Sequence, residues 1–435
     1  MRQAVADLVR LVEIPSISLP GHEPRELEHA AKEVAEIFAG AGAGVELLRV
    51  ADAPPAVYAE VERGAATTVL LYAHYDVQPP GDAWVTPPFE PTMRGERLYG
   101  RGAADDKAGI AIHATALRYF AETPPVNLKV LIEGEEEVGS PHLADLLAHH
   151  PKLAEADVVV VADCANWQLG VPALTVSLRG MVSCLVTVST LEHSAHGGLY
   201  GGAVPEAVSA LARVLCSLQT DAGDVAIDGL ATWQESVRAD IDEDELRQAA
   251  GLLPRVALIG EGTLAERLWA RPAVTILGID APAADGAPAQ LVPKARAKIA
   301  VRLAPSDDAH RAIERLERHI RAHAPWGARV DFEPLEHVEP FVAAAGRARE
   351  LALRALAEAW ATEPVEVGLG GSIAFLSPLA EAAPEAAFLL TGVEDPAANI
   401  HGPNESVHLD ELGRACEAEI RLLHYLAEEI GGPER

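Results

Sequence analysis

Apolar residues recur at helical spacing from the start of the chain: Val5, Leu8, Val9 and Val12 share one face, and Pro15 ends the run. A second helix is predicted over 25–41. Three short apolar runs follow, at 45–50, 56–61 and 67–77, separated by turns rich in Gly, Pro and Asp, and they read as strands. The third, TTVLLYAHYDV, is the deepest candidate. A helix over 105–120 follows the turn YGRGAAD. A strand over 127–136 then ends in acids, a helix covers 140–150, and DVVVVAD at 157–163 is again a strand. Strand, helix, strand order with polar residues just past the strand ends predicts an α/β sheet with its chemistry at the carboxyl edge.

After ALTVSLRG the pattern changes. MVSCLVTVST at 181–190 reads as a strand, 203–217 as a helix, and 221–269 as an acidic, largely helical region. Strands near VTILGI and AKIAVRL, a helix over 307–323 and a strand over 328–335 complete a smaller α+β insertion at 181–338. The sheet resumes with the helix GRARELALRALAEAW and an apolar strand at 386–393. The fold class is therefore α/β, a mixed central sheet flanked by helices in a discontinuous domain, 1–180 and 339–435, interrupted by the insertion. No repeat of 20–50 residues is visible.

Composition narrows the function. With 49% hydrophobic and 23% charged residues in 435, the chain has ample material for cores, and dominant disorder is excluded. Its 35 basic and 65 acidic residues give a formal charge of -30, which repels nucleic acid and anionic membrane surfaces. Small molecules, metal ions or a second copy of the chain are the expected partners. Cys164, Cys184, Cys216 and Cys416 form neither a CxxC pair nor a disulfide framework, which suits a reducing compartment. The first twenty residues mix charge with apolar positions and contain no signal core or membrane span, so a cytoplasmic location is expected.

Candidate chemistry collects at the strand ends. The two-residue period puts His74 and Asp76 on one side, where the carboxylate can support the imidazole. Asp105 and Asp106 start a helix, a place where acids also simply complement the helix dipole, and Glu135, Glu136 and Glu137 equally suit a solvated charge run. Yet acids that converge in an apolar chain need compensation, and a divalent metal supplies it. With Asp163 after its strand and His401 in the loop NIHGPNES, two histidines and three carboxylates suit zinc or manganese. A spare acid beside a ligand is then free to act on water.

The segments YAHYDVQP, YGRGAADDKAG, EGEEEVGS, DCANW, HGGLYGG and HGPNE occur in this order along nearly the whole chain. Together they resemble the superfamily of dinuclear zinc exopeptidases and deacylases that includes carnosinase, carboxypeptidase G, aminoacylase, acetylornithine deacetylase and succinyl-diaminopimelate desuccinylase. The wording HYDVQPP and GRGAADDKAG is most similar to the dipeptidase or carnosinase branch. The resemblance implies that His74 and Asp163 bind one metal, Glu137 and His401 the other, and that Asp105 bridges them. It implies that Asp76 orients His74, that Glu136 is the general base and that Asp106 is structural; a cis peptide directly after the bridging aspartate is common in that superfamily.

The same resemblance makes 181–338 a lid and dimerisation domain between two parts of a catalytic domain. His196 aligns with a histidine that reaches a partner's site to stabilise the oxyanion, whereas His193 reads as an accessory or surface histidine. Arg302 in KIAVRLAP aligns with an arginine for the substrate carboxylate, to which a guanidinium offers a bidentate fork. GLGGSIAFL offers Gly370, Gly371 and Ser372 for close approach of substrate, and is not a lysine-containing phosphate loop. Relatives often present an arginine near the start of this segment, where Gly368 stands here.

The expected activity is metal-dependent hydrolysis of a peptide bond in dipeptides or short peptides with a free C-terminal carboxylate, by a homodimer with two divalent ions per subunit, zinc first, then manganese or cobalt. The competing readings are deacylation of an N-acyl amino acid and a noncatalytic metal-binding homologue. The last is the less economical, since a metal store has no need of Glu136. No nucleic acid and no membrane partner is expected.

Overall fold

Val69 to Ala73 have no exposure to solvent at all. An unbroken apolar run of this kind is the mark of a parallel strand covered on both faces, and in the computed structural model the strand Thr68–His74 lies between parallel neighbours Asn127–Glu133 and Val158–Val161. The structure describes residues 1–121, 123–234, 239–371 and 373–430. They form two compact units, one of Met1–Val176, Ala343–Val367 and Ala374–Arg435, the other of Ser177–Val342 and Gly368–Ile373. Among the described residues, no helix is long and apolar enough to cross a membrane.

In the first unit the sheet runs Gly44–Leu48, Ala56–Val61, Asn127–Glu133, Thr68–His74, Val158–Val161, Ala387–Leu390, and then the start of Ala173–Leu178. The middle pairings are parallel and the outer ones antiparallel. Helices Arg2–Val12, Pro24–Gly40, Lys107–Phe120, Arg347–Trp360 and Leu409–Glu429 belong to the same unit. The Pro24–Gly40 helix packs on the first two strands and Lys107–Phe120 on the central one. Gly392 permits one close approach: a Cβ there would lie 1.7 Å from the carbonyl oxygen of Cys164. The parallel order sends His74, the 135–137 acids, Asp163 and Glu394 to one edge, where the strands end.

The second unit is a four-stranded antiparallel sheet, Ala273–Asp280, Lys294–Leu303, Gly180–Ser189 and Arg329–Val338. Val182, Cys184, Val186, Ile299, Val301 and Leu303 bury one face of it in the same core as Leu211 and Val214 of helix Ala207–Ser217, and Leu316 and Ile320 of helix Ala309–Ala322. The expected helical region at 221–269 is largely irregular. Among its described residues, regular helix is confined to Glu243–Ala249, with one wider turn at Glu266–Ala270. Gly223, Gly229, Gly251, Gly260 and Gly262 all take positive φ there, a conformation no right-handed helix contains. The hairpin Thr92–Arg94 and Arg97–Tyr99, paired with Ser406–His408, and the helix Leu409–Glu429 are additions to the elements that the pattern predicts.

Candidate metal centre

His74 closes the central strand, and its ring is fully buried. Nδ1 faces Asp76, 3.0 Å from its carbonyl oxygen and 3.3 Å from Oδ1. Nε2 lies 3.1 Å from Asp105 Oδ1 and 3.7 Å from Asp163 Oδ1. The Asp76 carboxylate also accepts the backbone N–H groups of Glu136, at 3.2 Å, and Glu137, at 3.1 Å. One acid thus sets both the imidazole and the turn that carries the glutamates.

Asp105 stands between two groups. Its Oδ1 faces His74, and its Oδ2 is 2.9 Å from His401 Nε2, which is in turn 3.2 Å from Glu137 Oε2. Donor atoms of Asp105, Glu137 and His401 lie within 4.8 Å of one another, as do those of His74, Asp106 and Asp163, and of Asp105, Asp163 and Glu394. Oxygen and imidazole donors in this mixture fit divalent zinc or manganese. Asp106 is otherwise engaged. Its Oδ2 accepts His74 N–H and its Oδ1 caps the following helix at Gly109 N–H, both at 3.2 Å. The peptide between Asp105 and Asp106 is cis.

The cluster concentrates acids away from solvent. Burial drives the Glu136 and Glu394 carboxyls well above their ordinary range and raises Asp163 to about 6. Burial works the same way on Asp105, but hydrogen bonds from His401 and His74 prevail and hold it below the usual carboxylate range. Bonds to Asp105 and Glu137 raise His401 to about 10. Burial disfavours charge on His74, yet Asp105 and Asp163 outweigh it and push its pKa well up. So many acids in a protein interior call for positive charge, which a pair of dications supplies more fully than two imidazoliums.

Three further residues join the site without having stood out in the sequence. Glu394 follows the parallel strand Ala387–Leu390 much as Asp163 follows Val158–Val161, a placement that would have flagged it. Glu405 is wholly buried and accepts N–H groups from Gly102, Ala104 and Asp105 at 3.0, 2.9 and 3.1 Å, and Arg101 Nη1 at 2.6 Å. Gln78 grips Glu137 from the other side. Only the inclusion of Glu405 and Gln78 in the quoted motifs hinted at a role.

The remaining candidates belong to the second unit. His196 is exposed, pairs with Gln290 in a short two-stranded sheet, and accepts Gly198 N–H on Nδ1 at 3.1 Å. His193 is exposed. Arg302 is partly buried on its strand between two core residues, Val301 and Leu303. The Gly370 carbonyl accepts Arg179 Nε at 3.2 Å, Gly371 is partly exposed, and Ser372 lies outside the described residues. Gly368 has no room for a longer side chain without rearrangement, because a Cβ there would fall 2.6 Å from Trp269 Cβ.

Residues 70–425 match peptidase family M20/M25/M40. A cysteinylglycine-S-conjugate dipeptidase of Corynebacterium striatum is 36% identical over 416 residues, 93% of this chain and 91% of the relative. The Cys-Gly metallodipeptidase dug1 of Schizosaccharomyces pombe is 31% identical over 350 residues, covering 73% of this chain and 72% of its own. In fold, the M20 family metallo-carboxypeptidase Sso-CP2 of Sulfolobus solfataricus superimposes with a TM-score of 0.82 at 24% identity, over 98% of this chain and 100% of the other.

Proposed function

The chain belongs to peptidase family M20/M25/M40, and on that premise we propose that it hydrolyses dipeptides or short peptides with a free C-terminal carboxylate, using two divalent ions per subunit. The observation that carries this reading is the position of Asp105, whose two carboxylate oxygens face the histidines of two different donor groups. His74 and Asp163 would hold one ion, Glu137 and His401 the other, with Asp105 shared. Zinc suits this donor set, with manganese or cobalt as the alternatives. When bound, such a pair supplies Lewis-acid activation of water and of the amide carbonyl.

The chain's own residues manage the proton and the substrate. Glu136, on the turn fixed by Asp76, takes a proton from the attacking water and returns it to the amide nitrogen as the C–N bond breaks. Burial beside other acids raises its proton affinity, which suits a group that must accept a proton and hand it on. Asp76 keeps the His74 ring oriented. Arg302 would bind the substrate carboxylate, and the backbone at Gly370 and Gly371 would allow its close approach. His196 would stabilise the tetrahedral oxyanion in the partner's site of a homodimer. Strand Ala273–Asp280 supports self-association: it is an edge strand of its sheet, with Leu277 and Ile279 more than half exposed. Four free cysteines are in keeping with a cytoplasmic location.

A metal-replete activity screen over unblocked dipeptides, N-acetyl and N-succinyl amino acids tests this function, with the released amines identified by mass spectrometry. Hydrolysis of unblocked dipeptides supports it. Turnover confined to the N-acyl compounds would make the protein a deacylase, and no turnover of either would leave a noncatalytic metal-binding homologue.

A further inference from the structure

Both carboxylate oxygens of Glu137 are held by a single residue. Gln78 donates its backbone N–H to Oε1 at 3.1 Å and its side-chain amide to Oε2 at 2.8 Å, and the same amide reaches the Glu137 carbonyl oxygen at 3.2 Å. Glu137 Oε2 is also the atom that faces His401. Gln78 lies four residues after His74 and touches the other half of the donor cluster. Its side chain is partly exposed, so it is not there to fill the core.

We infer that Gln78 is a positioning residue that fixes the Glu137 carboxylate and thereby sets the affinity of one of the two cation positions, the one built from Glu137 and His401. The inference rests on the two-ion reading above. A carboxylate on a short turn has its own rotational freedom, and a cation that binds it must first stop that motion. The Gln78 amide does so in advance, and its two donor hydrogens can serve Oε2 and the backbone carbonyl together. Replacing the side chain leaves the backbone N–H bond to Oε1 in place, so the loss is confined to orientation. Partners of this kind typically tune metal affinity by about 10–100-fold.

The test is titration of metal-free full-length protein with zinc ions, followed calorimetrically, for the wild type, Gln78→Leu and Gln78→Glu. The wild type is expected to take up two ions. Gln78→Leu should weaken one binding step by roughly 10–100-fold and leave the other unchanged. Gln78→Glu, equal in length but carrying a second carboxylate toward Glu137, should alter that same step only. Gln78→Leu should remain cooperatively folded without metal, so that weakening of one step alone marks loss of positioning rather than general damage to the site. If the wild type binds two ions and both variants match it, or if both steps weaken together, the inference is wrong while the two-ion reading stands. A wild type that takes up no zinc overturns the two-ion reading and this inference with it.

Discussion

Glu405 accepts the backbone N–H of Asp105 at 3.1 Å, and so an acid four residues beyond His401 fixes the residue that His401 faces. The same carboxylate gathers two further N–H groups of the turn before Asp105 and pairs with Arg101, which is itself almost completely buried. The two halves of the candidate metal centre are therefore tied together by backbone geometry as well as by their shared aspartate. A carboxylate with two oxygens and four donors has no spare acceptor of its own to lose.

Glu405→Gln replaces one acceptor oxygen by an NH2 group aimed at N–H donors and leaves the Arg101 guanidinium buried without its counter-ion. Breaking a buried pair from one side costs about 3–5 kcal/mol. Urea unfolding of the metal-free protein should show a loss of that order, and Glu405→Asp, which keeps the charge, should lose less. Equal stability of Glu405→Gln and wild type would mean that the turn is held by something else.

A second buried pair gives a pH signature away from the metal centre. His113 places Nδ1 2.8 Å from Glu419 Oε2 and Nε2 3.0 Å from the Tyr72 carbonyl oxygen, so both ring nitrogens face acceptors. Burial opposes protonation, but the charge and hydrogen bond of Glu419 outweigh it and raise the pKa. A folded-state pKa above the unfolded value of about 6.5 stabilises fully below that pH, and the contribution is lost as pH rises through the folded value. The stability of wild type relative to His113→Gln should follow this course, falling by at most about 1.4 kcal/mol for each pH unit crossed between the two pKa values. A difference that grows from about pH 6 to about pH 9 in thermal unfolding would contradict it.

Glu136 and Glu137 are adjacent and should nevertheless fail differently. Glu136→Gln keeps the volume and loses the proton acceptor, so turnover should fall roughly 100- to 10,000-fold with metal content near the wild-type value. Glu137→Gln should lose metal, because the carboxylate charge facing His401 is gone. Metal analysis beside steady-state rates separates the two. Normal turnover by Glu136→Gln would remove it as the base without touching the fold.

How much of this was legible depended on whether a signal was local. His74 and Asp163 announce themselves because an apolar strand runs straight into a polar residue, and the parallel order then delivers both to one edge. Glu405 gives no such sign: its partners are backbone N–H groups 300 residues away in sequence, and backbone carries no side-chain signature. The acidic stretch at 221–269 alternates apolar and charged residues as an amphipathic helix does, but its glycines take left-handed turns that the pattern alone does not reveal. The three-residue strands Thr92–Arg94 and Arg97–Tyr99 are too short for any periodicity to register.

His196 belongs to one compact unit and Glu136 to the other, and the proposal that His196 serves a partner's site is tested by mixing subunits. If His196 serves the partner's site, neither Glu136→Gln nor His196→Ala homodimers turn over normally, yet a mixed dimer contains one complete site. That site uses the intact Glu136 of the His196→Ala subunit together with the intact His196 of its partner, while the opposite site lacks both groups. Random exchange of equal amounts makes half the dimers mixed, with one of two sites active in each, so roughly a quarter of wild-type activity should return. The background is low, because losing one oxyanion donor costs about 100- to 1,000-fold and the missing base costs a comparable factor. Co-expression with two different affinity tags, followed by tandem purification, isolates the mixed dimer and raises the expected recovery to about half. If dimers verified in this way stay inactive, His196 acts within its own subunit or not at all, and cross-subunit catalysis is rejected.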